Sequence, residues 1–105
     1  MLYNIKMIKL IKIVKSTNPK KKFDAFFMID GKEKKKSFGA RGMDDYTLTK
    51  DKEQRKRYRT RHAKDLLTPD NKKGIGAGAL SYYILWGNST DIKKNISAYK
   101  KRFNV

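Results

Sequence analysis

The sequence contains no cysteine and a single histidine, His62. Neither a disulfide nor a thiolate zinc site is therefore available, and one histidine alone cannot build a usual transition-metal site. No apolar run approaches the roughly 20 residues that a membrane span needs. The first residues, Met1-Leu2-Tyr3, lack the charge-then-apolar order of a signal peptide. We therefore expect no cofactor, no bound metal, no transmembrane segment and no secretion.

Acidic residues are also scarce. The chain has 10 Asp and Glu against 27 Lys and Arg, a formal net charge of +17 in 105 residues. The basic excess is spread along the chain, so it does not form a detachable tail. Because this charge repels itself in the free protein, a polyanionic partner would stabilise it. We expect nucleic acid first, with an acidic protein surface as the alternative; a membrane surface is disfavoured, and nothing indicates a small-molecule substrate.

The first 40 residues predict an antiparallel sheet. The Ile and Val content favours a strand from Lys9 to Lys15, although lysine at every third position also fits a basic amphipathic helix over 5–15. A second strand, Phe23 to Ile29, would place residues 23, 25, 27 and 29 on one face. Asp30-Gly31 predicts a two-residue type I′ turn. Lys32 to Phe38 would return as a charged strand that either protects a sheet edge or lies against phosphates.

The centre of the chain predicts a basic helix from Lys50 to Leu67. Thr49 is the expected N-cap, after a loop with two glycines. The acid–base pairs Asp51–Arg55 and Glu53–Arg57 have favourable i,i+4 order. A thin apolar stripe of Tyr58, His62 and Leu66 would pack the helix, and Pro69 would end it.

Two more helices are expected after a flexible linker at 70–78. Residues 79–86 are apolar enough for a core helix, and Ser89 or Thr90 would cap a last helix with a buried stripe at 92, 96, 99 and 103. We therefore predict one α+β domain over 1–105, with a possible flexible arm at 1–7. A small antiparallel sheet of two to three strands would pack with about three C-terminal helices.

The candidate site is the set of cations on the basic helix, the charged hairpin strand and the loop between them. Among the six candidate cations of this helix, arginine outnumbers lysine by four to two, and the arginine guanidinium binds phosphate or carboxylate through two parallel hydrogen bonds. A solvated helix face is the alternative. The set is Arg55, Lys56, Arg57, Arg59, Arg61, Lys64, Lys34, Lys35, Lys36 and Arg41.

Other motifs favour structural roles. His62 is expected to pack on the helix stripe. In the less favoured alternative, His62 would act as a general base and Asp65 would orient it. Asp44 and Asp45 are expected to bond within their loop, with one of them pairing Arg41 or a helix lysine, because no convergent acids accompany them as a Mg²⁺ nuclease requires. Three aromatics are expected in the core, with base stacking as the less favoured alternative: Tyr82, Tyr83 and Trp86. We therefore predict no catalytic residues and no enzyme activity.

Several segments together resemble a family of small basic proteins encoded by nucleocytoplasmic large DNA viruses. The resemblance covers roughly residues 8 to 103 and is carried by Asn18-Pro19, Phe38-Gly39-Ala40, Gly42-Met43, Asp45-Tyr46-Thr47, Arg61-His62, Leu80-Ser81 and Leu85-Trp86. That family has no assigned activity. The resemblance implies a viral origin and a location in the virion or the infected cell (cytoplasm or viral factory), and it implies nothing about chemistry.

The predicted function is phosphate binding on nucleic acid, DNA rather than RNA, largely without sequence specificity. No zinc finger, basic zipper or other base-reading motif is present. The alternative is a structural or minor capsid component that cements acidic protein surfaces of the virus particle.

Overall fold

The computed structural model describes residues 7–105, so the predicted arm at 1–7 lies outside it except for Met7. Three antiparallel strands, β1 (Ile8–Lys15), β2 (Lys21–Ile29) and β3 (Lys32–Ala40), form a sheet in the order β1-β2-β3. The strand prediction for residues 9–15 is confirmed, and the helical alternative is wrong over Ile8–Lys15.

The turn between β2 and β3 is the predicted hairpin. Asp30 and Gly31 have φ angles of 50° and 83°, and Ile29 pairs directly with Lys32. A type I′ turn requires positive φ at both central positions, where Gly and Asp are among the few residues tolerated. The two-residue connection therefore fixes the register of both strands.

Side chains alternate between the two faces of the sheet, as the period of a strand requires. The inner face contributes buried residues to the core: Leu10, Ala25, Phe27 and Phe38. The outer face, reached by the intervening residues, carries Val14, Phe26 and Met28. Met28 and Val14 are exposed, and Phe26 is partly exposed. Within residues 7–105, the helices therefore pack on the inner face, while Val14, Phe26 and Met28 of the outer face stay at least partly exposed.

The helices follow the sheet in sequence. They are α1 (Tyr46–Thr49), α2 (Lys52–His62) with a 3-10 turn at Ala63–Leu67, α3 (Pro69–Lys73), α4 (Ala77–Leu80) with a π turn at Ser81–Leu85, and α5 (Ile92–Phe103). The α+β prediction is confirmed. The helical region is divided more finely than predicted because Lys50 and Gly74 adopt left-handed conformations, which end α1 and α3.

The predicted linker at 70–78 contains two helices instead. Asn71 holds the segment together, since its side chain accepts from Ala79 N at 2.9 Å and donates to Asp65 O at 2.6 Å. A Cβ on Gly76 or Gly78 would fall within 3 Å of the Asn71 side chain. The glycines therefore permit close packing, which a sequence pattern does not distinguish from flexibility.

The core lies between the inner sheet face and the helices. Leu80, Ile84 and Leu85 are buried there with Tyr99 of α5. Asp91, and not Ser89 or Thr90, caps α5 by accepting from Lys93 N at 2.9 Å. Among residues 7–105, no helix combines the length and the apolar character needed to cross a membrane.

Candidate nucleic-acid interface

Helix α2 begins two residues later than predicted. Its N-cap is Asp51, whose carboxylate accepts from Glu53 N at 3.0 Å and Gln54 N at 3.1 Å. Thr49 is instead the last residue of α1, and the left-handed turn at Lys50 separates the two helices. A carboxylate at the N-cap also interacts favourably with the helix dipole.

Two of the predicted site arginines, Arg55 and Arg59, are engaged within the protein. Arg55 Nε donates to Gly87 O at 2.7 Å and Trp86 O at 3.2 Å, and its guanidinium also reaches Asn88 Oδ1 at 2.7 Å. Its i,i+4 pairing with Asp51 does not form. Its Nε and one Nη2 hydrogen are thus engaged by oxygens of residues that follow the π turn. The role of Arg55 as an anion contact stays a prediction for its remaining donors.

Arg59 has the same role one turn later. Its Nη1 donates to Trp86 O at 2.8 Å and to Tyr82 O at 3.1 Å, and its guanidinium lies 4.0 Å from the centroid of the Tyr82 ring. Burial is the main cause that lowers its pKa, and the charge of Arg55 adds to this. A cation at the C-terminal end of a helix also interacts favourably with the dipole. Only Nη1 is engaged in this way, and the role of Arg59 as an anion contact stays a prediction.

Arg41 is exposed, but its guanidinium is also occupied. Nε donates to Lys21 O at 3.0 Å and Nη2 donates to Ser16 O at 3.1 Å. Arg41 therefore ties the loop after β3 to the connection between β1 and β2. Its role as an anion contact stays a prediction.

The remaining cations of the predicted set on α2 and its 3-10 turn are exposed, and the structure of residues 7–105 gives them no hydrogen bond or ion pair. They are Lys56, Arg57, Arg61 and Lys64. The predicted pair between Glu53 and Arg57 does not form. These four side chains keep all their donors available.

The hairpin lysines lie on β3, apart from the helix cations. Lys34 and Lys36 stand opposite the buried Phe27 and Ala25, so they extend along the edge of the inner face, whereas Lys35 stands opposite Phe26 on the outer face. The predicted site is therefore divided between two surfaces.

A cleft of about 760 Å³ separates α2 from the end of the sheet. One wall is the start of β2 and the end of β3, with Lys21 and Gly39. The opposite wall is α2, which contributes Arg57 and Arg61. These two arginines are four residues apart, so they lie on the same side of the helix, one turn above the other.

Three stacked rings line the cleft. Tyr58 lies between Trp86, with ring centroids 4.3 Å apart, and His62, at 4.2 Å. His62 therefore packs on the helix stripe as predicted, and its Nδ1 lies 2.8 Å from Asp65 Oδ2. Burial and then the Asp65 charge raise the pKa of Tyr58, while a hydrogen bond with Ser81 opposes them. Tyr58 is thus neutral near pH 7.

The three aromatics that could have stacked on bases are used inside the protein. Trp86 is buried, and Tyr82 and Tyr83 form an edge-to-face pair against Arg59. The prediction that they pack in the core is confirmed for Trp86, and both tyrosines are partly buried against the guanidinium.

Acidic side chains do little to neutralise the charge. Asp45, Asp51 and Asp91 accept hydrogen bonds from backbone N–H groups at the starts of α1, α2 and α5. Within the described part of the chain, the ion pairs are Lys22 Nζ–Asp45 Oδ2 at 2.6 Å and His62–Asp65. The partner of Asp45 is therefore Lys22, neither Arg41 nor a helix lysine. Most of the positive charge consequently faces solvent without an acidic neighbour.

Residues 11–62 match the model of a family of unknown function, DUF5754. No curated protein and no solved structure matches the chain. The matched residues run from the middle of β1 to the end of α2 and so include most of the sheet and both cleft arginines. Over this part, the chain is similar to a family whose function is not known.

Proposed function

We propose that this protein is a non-enzymatic binding protein for nucleic-acid phosphates. The contacts are made by Arg57 and Arg61 at the cleft, by Lys56 of α2 and by Lys64 of the 3-10 turn. DNA is the favoured partner, and recognition is largely independent of sequence because phosphate contacts carry no base information.

The observation that carries this proposal is the difference between neighbouring arginines of one helix. Arg55 and Arg59 hold backbone carbonyls, whereas Arg57 and Arg61 are exposed beside the cleft. An arginine with five free donors is suited to bind a phosphate bidentately. The cleft contains two acids, but Asp65 is paired with His62 and Asp44 accepts from Gln54 at 3.4 Å.

The charge of the whole molecule supports the same partner. A net charge of +17 with few internal ion pairs attracts polyanions and releases their counterions on binding. The resemblance to small basic proteins of large DNA viruses supports a role on viral nucleic acid, in the virion or the infected cell.

The test compares two double variants that remove equal charge. Arg57→Gln with Arg61→Gln removes the cleft arginines, and Lys93→Gln with Lys94→Gln removes two exposed lysines of α5. Affinity for random 20-base-pair duplexes is measured across a salt series. The cleft variant is expected to weaken binding about equally for unrelated sequences. Its slope of log K against log salt flattens by roughly 1.8, since each lost phosphate contact contributes roughly 0.9.

Three outcomes are informative. A smaller change in the α5 variant supports local contacts, whereas equal changes in both variants show that only the overall charge matters. Absence of wild-type binding near physiological salt contradicts the proposal and favours the alternative, in which the same arginines meet carboxylates on an acidic capsid protein.

A further inference from the structure

The outer face of the sheet is an apolar surface that the helices leave open. Val14 and Met28, which the strand pairing places on this face, are 40% and 36% exposed. Phe26 lies among them, half-buried by its strand neighbours. The solvent face of an antiparallel sheet is usually polar, so an aromatic ring in this position needs an explanation.

Exposed lysines surround this ring. Lys12 and Lys35 stand directly opposite Phe26 on the two neighbouring strands, and Lys12 Nζ lies 5.0 Å from the centroid of the ring. Lys9 stands opposite the adjacent Met28. Neither Lys9, Lys12 nor Lys35 forms an ion pair within residues 7–105.

The acidic residues of this face do not neutralise the positive charge of those lysines. Asp24 is 2% exposed and accepts from Ser16 Oγ at 2.7 Å and Ser37 Oγ at 2.6 Å. Glu33, opposite Met28, is therefore the one solvent-exposed acid that the strand pairing places on this face. Around Phe26 the surface is apolar at its centre and positively charged at its border.

This combination matches the chemistry of an unpaired nucleotide. A base stacks on an aromatic ring, and the phosphates on either side of it meet lysine ammonium groups. A duplex does not offer this contact, because its base faces are covered by stacking on their neighbours. A protein partner with an apolar patch would satisfy the ring but would leave the lysines without anions.

We infer that the outer sheet face binds single-stranded nucleic acid, with Phe26 stacking on a base and Lys12 and Lys35 contacting phosphates. This inference rests on the proposed function and adds a preference for single strands. The surface is close to the cleft, since Lys22 lines the cleft and precedes Phe26 by four residues of β2, about 13 Å along the strand.

The first experiment replaces the ring and keeps its apolar volume. Phe26→Leu is compared with the wild type for binding to a 20-nucleotide single strand and to the matching duplex. We expect the single-strand affinity to fall about 5- to 150-fold, the range corresponding to loss of one stacked base. Duplex affinity is expected to change less than about twofold. Leu67→Ala, an apolar residue that is 67% exposed on the 3-10 turn, is the control.

A second variant gives a signal that a structural role does not produce. Phe26→Trp adds a surface tryptophan to a protein whose own tryptophan, Trp86, is buried. Stacking on a base is expected to quench the added emission with the single strand and not with the duplex. Lys12→Gln with Lys35→Gln is expected to flatten the single-strand salt slope by roughly 1.4, at roughly 0.7 per contact.

The outcomes separate this inference from the proposed function. If the cleft variant weakens binding while Phe26→Leu does not and Phe26→Trp is not quenched, the sheet inference is wrong and the proposed function stands. If Phe26→Leu abolishes self-association of the protein and leaves single-strand affinity unchanged, a second copy of the chain occupies this face and the inference is also overturned. If the wild type binds neither form of nucleic acid, both fail.

Discussion

Replacing Arg59 by glutamine is expected to destabilise the fold, although the residue lies on the most basic helix of the chain. The guanidinium donates to Trp86 O and Tyr82 O and lies over the Tyr82 ring. Glutamine is too short to reach both carbonyls from the same Cα and has no charge to place near the ring. Charge-assisted hydrogen bonds are lost, while α2 keeps a residue of similar helix propensity.

The size of the effect follows from these contacts. A hydrogen bond to a charged group contributes about 1.5–3 kcal/mol in a buried setting, and an exposed cation–π contact about 0.5–1 kcal/mol. Arg59 is half-buried, and Trp86 O keeps Arg55 as a second donor. We therefore expect the free energy of unfolding to fall by about 2–3 kcal/mol, a shift in Tm of roughly 10–20 °C for a domain of this size.

Arg57→Gln is the matched control, two residues away on the same helix. It removes the same positive charge as Arg59→Gln. In a protein with a net charge of +17, this loss slightly relieves repulsion in both variants, so the contribution cancels when their free energies of unfolding are subtracted. Surface substitutions without partners usually change stability by less than about 0.5 kcal/mol. Urea unfolding followed by circular dichroism measures both variants.

Equal stability of the two variants would contradict the structural role of Arg59. Arg59→Lys refines the comparison, because an ammonium keeps the charge but lacks the planar fork that reaches two carbonyls. We expect it to lose more stability than Arg57→Lys and less than Arg59→Gln.

Two further predictions concern buried groups. Hydrogen bonds from Ser37 and then Ser16 lower the pKa of Asp24, so its stabilising contribution is complete above the unfolded value of about 3.9 and is lost as pH falls through the lower folded value. Asp24→Asn is therefore expected to reduce stability at pH 7 and to differ less in stability from the wild type near pH 3. Urea unfolding at both pH values measures this, and the same difference at both would contradict a stabilising role of the ionised carboxylate. Gly74→Ala is expected to lower the free energy of unfolding by more than about 1 kcal/mol. Gly74 has a φ of +78°, and an added Cβ would fall 2.4 Å from Phe103 Cγ. Gly42 has a φ of +89° and open space around it, so Gly42→Ala measures the backbone strain alone. Equal losses of stability for the two variants in thermal unfolding would exclude the Phe103 clash.

The sequence determined the features that depend on neighbours in the chain. Alternation predicted the inner face of β2, and Asp30-Gly31 predicted the turn, since both follow from backbone geometry over a few residues. The same alternation places Phe26 on the opposite face, so this residue could have been found by asking what the other face of the strand carries. Composition determined the net charge of +17.

Only the tertiary structure decided which cations are available to a partner. The helical period places arginines 55 and 59 on one side of α2 and arginines 57 and 61 on the other. Because the helix is basic nearly all round, this period does not tell which side faces the rest of the protein. The difference comes from carbonyls about 23 to 32 residues away in the chain, which are brought to one side of α2 by the packing of the π turn. A long side chain reaches partners that its own sequence neighbours do not specify, and folding therefore decides which of the two arginine pairs is engaged.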